Sequence, residues 1–198
     1  MAGSLHELLI ELEQFGLSND GAIADRSRRM LNITRDTGEF LSVLVRVMNA
    51  HRVLEIGTSN GYSTIWLALA AQVVGGHVTT VEVSDFKSAL AAKNFTRSGL
   101  APFIRQVHGD AGALLRGSTE SSFDFVFLDS ERSEYLKWWP DIKRVLREGG
   151  LLVVDNATSH CAEMAPFVAM VSADSDFTTC TVPVGNGEFL ATRASLRP

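Results

Sequence analysis

Cysteine is scarce. Cys161 and Cys180 are the only two in 198 residues, and they have neither metal-ligand spacing nor a disulfide framework around them. Two reduced thiols in a cytoplasmic protein fit that pattern. No stretch approaches the roughly 18 consecutive apolar residues of a membrane span. The opening MAGSLHELLIELEQF lacks the basic start and apolar middle of a secretory signal and reads as a short acidic amphipathic helix. Positive charge is not in excess either: a formal net charge of −5 offers no bulk attraction for nucleic acid. Repeats, low-complexity segments and linkers are missing too, which leaves one domain over residues 1–198 as the default. With 45% hydrophobic and 21% charged residues, the chain can fill one core.

What is present is an alternation of short apolar runs with helical patterns, which predicts βα units. Arg52 to Ile56, Val78 to Val83, Ile104 to His108, Phe123 to Leu128 and the run from Leu151 read as strands. Helices are expected over Gly38 to Met48, Tyr62 to about Ala71, Asp85 to Gly99, about Ser133 to Arg147, and Ala162 to Val171. Ser84 or Asp85 would cap the third of these, and Gly149-Gly150 would end the fourth. The tail differs, because Phe177 to Val182 and Phe189 to Thr192 flank a Pro183 and Gly185-Asn186-Gly187 turn, as in an antiparallel hairpin. Asp25 to Asp36 is irregular and rich in arginine.

Two of the buried runs end in acids. FVFLDS ends at Asp129 and LLVVDN at Asp155-Asn156, and ligands in open α/β sheets bind beyond such carboxyl ends. Two carboxylates and an amide carbonyl suit Mg²⁺ or Ca²⁺ better than zinc. Either end alone reads equally well as a helix cap or a turn. In VLEIGTSNGYST, Gly57 and Gly61 frame a sharp strand-to-helix turn that aims a helix N-terminus at a ligand. The spacing is Gly-x-x-x-Gly, which weakens the dinucleotide and phosphate-loop readings. Glu82 follows Gly61 by 21 residues at the end of the next strand, where an acid can accept both hydroxyls of a ribose.

These residues resemble the class I S-adenosylmethionine-dependent methyltransferases of the catechol and caffeoyl-CoA O-methyltransferase type. LEIGTSNGYSTIWLA is similar to that family's first motif, GGHVTTVEV to its second and HGDAGALL to its third. FDFVFLDSERSEY and GGLLVVDN resemble the segments that carry its metal ligands. The resemblance implies a Rossmann-like, doubly wound α/β domain. Its sheet would be seven-stranded and mostly parallel with an antiparallel last strand, preceded by N-terminal helices and a lid. S-adenosylmethionine would meet Glu55, Gly57, Thr58, Ser59, Gly61, Tyr62, Ser63, Glu82, Val83, Asp110, Ala111 and Asp129. Mg²⁺ or another divalent cation would be held by Asp129, Asp155 and Asn156. Met30-Leu31 to Phe40-Leu41 would form the lid over the cofactor's methionine end, and a homodimer would form through the N-terminal helices.

The implied activity is methyl transfer to a hydroxyl of a small catechol-like metabolite. The cation would lower the hydroxyl pKa and fix the oxygen in line with the methyl. Metal-independent transfer to another oxygen or nitrogen acceptor and non-catalytic nucleotide binding are the alternatives. One position departs from the family: three residues after the first metal acid, Arg132 replaces the usual lysine. Arginine is not an unprotonated base, though it can stabilise a phenolate or hold a substrate carboxylate. Catalytic candidates are therefore Asp129, Arg132 and His160, the last also readable as a plain helix-start residue. Trp138-Trp139 reads as packing or as an aromatic wall, and Glu188 as a hairpin residue or, by resemblance, a contact to the second substrate hydroxyl. His51, His77 and His108 are given no role beyond structure, with His108 left open.

Overall fold

The computed structural model describes residues 4–194. Helix α1 (Leu5–Ala22) starts at a capping box in which Glu7 N–H donates to Ser4 Oγ at 3.3 Å and Ser4 N–H to Glu7 Oε2 at 2.7 Å. An irregular strap then leads to α2 (Arg35–Val47). The rest alternates: β1 (Arg52–Ile56), α3 (Tyr62–Val74), β2 (His77–Glu82), α4 (Asp85–Ser98), β3 (Ile104–His108), α5 (Ala111–Gly117), β4 (Phe123–Leu128), α6 (Tyr135–Val145), β5 (Leu146–Val154), α7 (Cys161–Ser172), β6 (Phe177–Val182) and β7 (Glu188–Arg193). One seven-stranded sheet has the order β3-β2-β1-β4-β5-β7-β6. β7 runs opposite to the other six strands and pairs antiparallel with β5 and β6. None of the described helices is long and apolar enough to cross a membrane.

The strands are buried on both faces, so their apolar runs are continuous and successive side chains feed two cores. Val53, Phe125, Phe127, Leu151 and Val153 belong to the core packed by α1 to α4. Leu54, Ile56, Val126, Leu128, Leu152 and Val154 belong to the other, with Trp139, Ile142 and Phe167 from α6 and α7.

Three boundaries differ from expectation. α1 runs eighteen residues, longer than a short lead helix. α5 was not anticipated, although Asp110 caps it by accepting Ala113 N–H at 2.7 Å. α6 stops at Val145, and Gly149-Gly150 lies inside β5 rather than between helix and strand. Gly149 has φ +67°, and the partner strand shifts register between Phe123 and Phe125. A side chain at 150 would press on the Arg147 carbonyl, so the second glycine lets the chain fold back on itself.

At the opposite end from the strand carboxyl termini, Asp124 clamps β1, β4 and the start of β5. It accepts His51 N–H at 2.9 Å, Arg52 N–H at 2.8 Å, the Arg52 guanidinium at 2.7 Å and Arg147 Nε at 2.8 Å. Burial pushes this carboxyl up, but the bonds from Arg52 and Arg147 outweigh it and hold the group below its usual range. A depressed carboxylate contributes stability above its unfolded pKa and loses it as pH falls. Asp124→Asn is expected to lower unfolding free energy by about 1–3 kcal/mol at neutral pH. In urea melts the gap to the parent should shrink below about pH 4; a pH-independent gap contradicts the clamp.

Candidate cofactor and acceptor site

The hydrogen-bond ladder of the parallel sheet continues for one residue past its strands, and those residues open the loops of the site. Gly109 N–H donates to Glu82 O at 2.9 Å, Gly57 N–H to Val81 O at 3.1 Å, Asp129 N–H to Ile56 O at 3.0 Å and Asp155 N–H to Leu128 O at 3.1 Å. Gly57 has φ +106°, and a Cβ there would run into the Asp129 carbonyl oxygen. The first glycine of the turn is thus demanded by the neighbouring acidic loop as much as by any ligand. A cavity of about 1050 Å³ lies over this edge.

One end of the cavity is set by Glu82. Its two oxygens accept Ser59 N–H and Ser84 N–H, each at 2.9 Å, which aims the carboxylate and leaves further lone pairs for a diol. Gly57, Ser59, Val83, Asp110 and Ala111 also line the cavity. Trp138 joins them, whereas Trp139 packs on Phe177 with ring centroids 4.9 Å apart. Wall and packing are therefore divided between the two tryptophans. The expected lid is displaced along the chain: Met30, Leu31 and Asn32 line the cavity, but Leu41 of α2 lies in the core. The strap is held by Asp20, which accepts Met30 N–H at 2.6 Å and Leu31 N–H at 2.8 Å, and by Ser59 Oγ donating to Met30 O at 2.6 Å.

Five expected cofactor contacts, Glu55, Thr58, Gly61, Tyr62 and Ser63, do not line the cavity. Glu55 is buried beneath the turn and accepts the hydroxyls of Ser63 (2.6 Å), Thr80 (2.6 Å) and Thr64. Thr58 Oγ1 lies 2.6 Å from Thr80 Oγ1 in the same cluster. Tyr62 packs edge-on against Trp66. Here these side chains shape the turn from behind, because Ser63 spends its hydroxyl on Glu55 and the Tyr62 ring is drawn into the helical core.

At the other end, Asp129, Asp155, Asn156, Arg132 and His160 all line the cavity, so the structure gathers every expected metal and catalytic residue. Burial, then the neighbouring Asp155 and Glu55, push the Asp129 carboxyl well above its usual range, with Arg132 pulling against them. Asp155 accepts Asn156 N–H at 2.7 Å, and Asn156 sits at φ +70°. Arg132 Nη1 donates to Asn156 Oδ1 at 3.3 Å and Nε to Glu163 Oε2 at 2.8 Å. His160 caps α7, with Nδ1 3.0 Å from Ser159 Oγ. Glu188 is fully buried behind Asp155 and bonds Thr37 Oγ1 at 3.1 Å. His108 is turned outward, 3.1 Å from Asp85. Among the described residues no three His, Cys, Asp or Glu side chains form a metal cluster, since this corner has two carboxylates and an amide.

Asp20, Arg26, Arg28, Phe86 and Lys87 also line the cavity and were not singled out from sequence. Phe86-Lys87 could have been found by following the chain past the Glu82 strand end. Asp20 has no local signal, because its partners lie ten and eleven residues away. Burial, partly offset by the hydroxyl donors, lifts the Glu55 carboxyl to about 7. Such a raised group favours folding fully below its unfolded value of 4.5, and that contribution is lost as pH rises through about 7. Glu55→Gln should melt below the parent at pH 5, and the gap should narrow by pH 8; a constant gap contradicts the assignment.

A sequence model described as O-methyltransferase matches residues 2–194. A catechol O-methyltransferase of Niastella koreensis is 32% identical over 143 residues, 71% of this chain and 64% of that one. The O-methyltransferase of Bacillus cereus, solved with S-adenosylhomocysteine, superposes with a TM-score of 0.80 at 25% identity over 94% of this chain and 90% of that one. The O-methyltransferase TomG of Streptomyces achromogenes, solved with S-adenosylmethionine, gives 0.79 at 27% identity over 96% and 90%. With this sheet order and a match over nearly the whole length, the chain belongs to the O-methyltransferase family and is an S-adenosylmethionine-dependent enzyme.

Proposed function

We propose that the protein methylates one hydroxyl of a small catechol-like aromatic, with a divalent cation, Mg²⁺ by donor chemistry, between Asp129, Asp155 and Asn156. The observation that carries this reading is the Asp129 carboxyl. It is half-buried beside Asp155, and no hydrogen bond reaches it among the described residues. Two neighbouring carboxylates, of which Asp155 accepts a single backbone N–H and Asp129 none, fit a hard cation that would relieve their repulsion. The Asn156 amide oxygen has a second lone pair beyond the one that Arg132 uses, so it suits the same ion. The name of the Niastella relative supports the acceptor class.

When bound, the two groups supply an electrophilic sulfonium methyl and a Lewis acid that makes a hydroxyl more acidic. The protein's part is placement and charge. Glu82 fixes the ribose end, and the strap pinned by Asp20 and Ser59 covers the cavity and keeps water out. Tyr135 accepts Ser130 N–H at 2.8 Å and so props the turn that carries Asp129. Arg132 brings a guanidinium to the acceptor end. His160, whose ring is engaged only through Nδ1 among the described residues, takes the proton. The Arg132–Asn156 bond favours a second reading, in which the guanidinium alone stabilises the phenolate.

Catechol O-methylation followed by mass spectrometry separates the two. Asp129→Ala should lower kcat/KM at least about 100-fold. EDTA should abolish turnover and excess Mg²⁺ restore it, whereas chelator-insensitive turnover supports the guanidinium reading.

A further inference from the structure

The acceptor end of the cavity holds more positive charge than methyl transfer to a neutral catechol requires. Arg26 on the strap and Arg132 after β4 both line it. Arg132 is nearly buried, with 11% of its side chain exposed. A guanidinium carries five N–H donors. Two are used, by Glu163 and Asn156, which leaves three without a partner among the described residues on a side chain bordering the cavity. The Arg26 carbonyl accepts Arg29 N–H at 3.1 Å, while its guanidinium has no hydrogen bond or ion pair among the described residues.

The acid that pairs directly with Arg132, Glu163, is exposed and replaceable. The Arg132 hydrogen bond, and then the charges of Arg132, His160 and Arg26, hold Glu163 below the usual carboxylate range against a small opposing effect of burial. Nearby acids are otherwise engaged or turned to solvent. Glu134 pairs with Lys137 at 3.0 Å, Asp25 accepts Ser27 N–H at 2.9 Å, and Glu131 is exposed beside Ser133.

From this arrangement we infer that the acceptor carries a ring carboxylate besides its hydroxyls. It is received on the open edge of Arg132 with Arg26 closing from the strap, and Glu163 is an internal stand-in that it displaces. The planar fork of arginine matches a carboxylate in two parallel bonds, which a lysine at position 132 could not provide. The inference rests on the acceptor class proposed above and narrows it to catechol acids.

The test compares 3,4-dihydroxybenzoate, its methyl ester and catechol as acceptors at saturating S-adenosylmethionine, in the parent enzyme and in Arg26→Gln and Glu163→Gln. Both substitutions are at exposed positions, and thermal melts confirm folding. The acid should exceed the ester in kcat/KM by about tenfold. Arg26→Gln should erode that preference several-fold by raising KM for the acid alone. Glu163→Gln should enlarge it, a change of opposite sign that lost packing would not produce. Equal use of acid and ester, or an acid preference that neither variant moves, overturns this inference and leaves catechol methylation standing. Failure to methylate any of the three overturns both readings.

Discussion

The site depends on one row of backbone hydrogen bonds. Strands β3, β1, β4 and β5 each hand the ladder to the first residue of a loop, so Gly109, Gly57, Asp129 and Asp155 are placed by the same register that pairs the strands. The cofactor turn and the acidic corner are consequently not independent loops. Gly57 lacks the side chain that would collide with the Asp129 carbonyl, so the two lie as close as backbones allow. A parallel sheet buried on both faces makes the row rigid, because neither core can relax without disturbing the other.

On that edge the charges are sorted by depth. Glu55 lies deepest, wrapped by hydroxyls, with its carboxyl lifted to about 7. Asp129 and Asp155 stand above it among the cavity residues, where burial and the neighbouring Asp155 push the Asp129 carboxyl up. Arg132, His160 and Arg26 surround the acceptor end, and Glu163 holds them in check. Glu82 stands apart at the other end, tied by two backbone N–H groups that fix its direction. The Glu82 carboxylate thus stands at one end of the cavity, and the Arg26 and Arg132 guanidinium groups at the other.

Much of this was legible in the sequence because it is local. Continuous apolar runs ending in Asp129 and Asp155, the Gly57 to Gly61 turn, and Glu82 at the next strand end each carry their signal within a few residues. What could not be read depends on contacts across the chain. The strap is pinned by Asp20 from α1 and by Ser59 from the cofactor turn. Ser63 and Tyr62 look like ligand contacts at a helix start, yet Ser63 bonds Glu55 eight residues before it and Tyr62 packs on Trp66. Gly149-Gly150 resembled a helix stop, since nothing local shows that the chain is already extended at Leu146. Arg26 reads as one more surface arginine until α7 brings Glu163 opposite it.

The central claim is that the sheet itself fixes the site before any ligand arrives. Amide hydrogen exchange of the ligand-free protein, resolved residue by residue, tests it most directly. The amides of Gly57, Gly109, Asp129 and Asp155 should be protected as strongly as those in the middle of β1 and β4, and far more than the neighbouring Ser130 and Glu131. Rapid exchange at these four positions, slowed only when S-adenosylhomocysteine is added, would contradict the account.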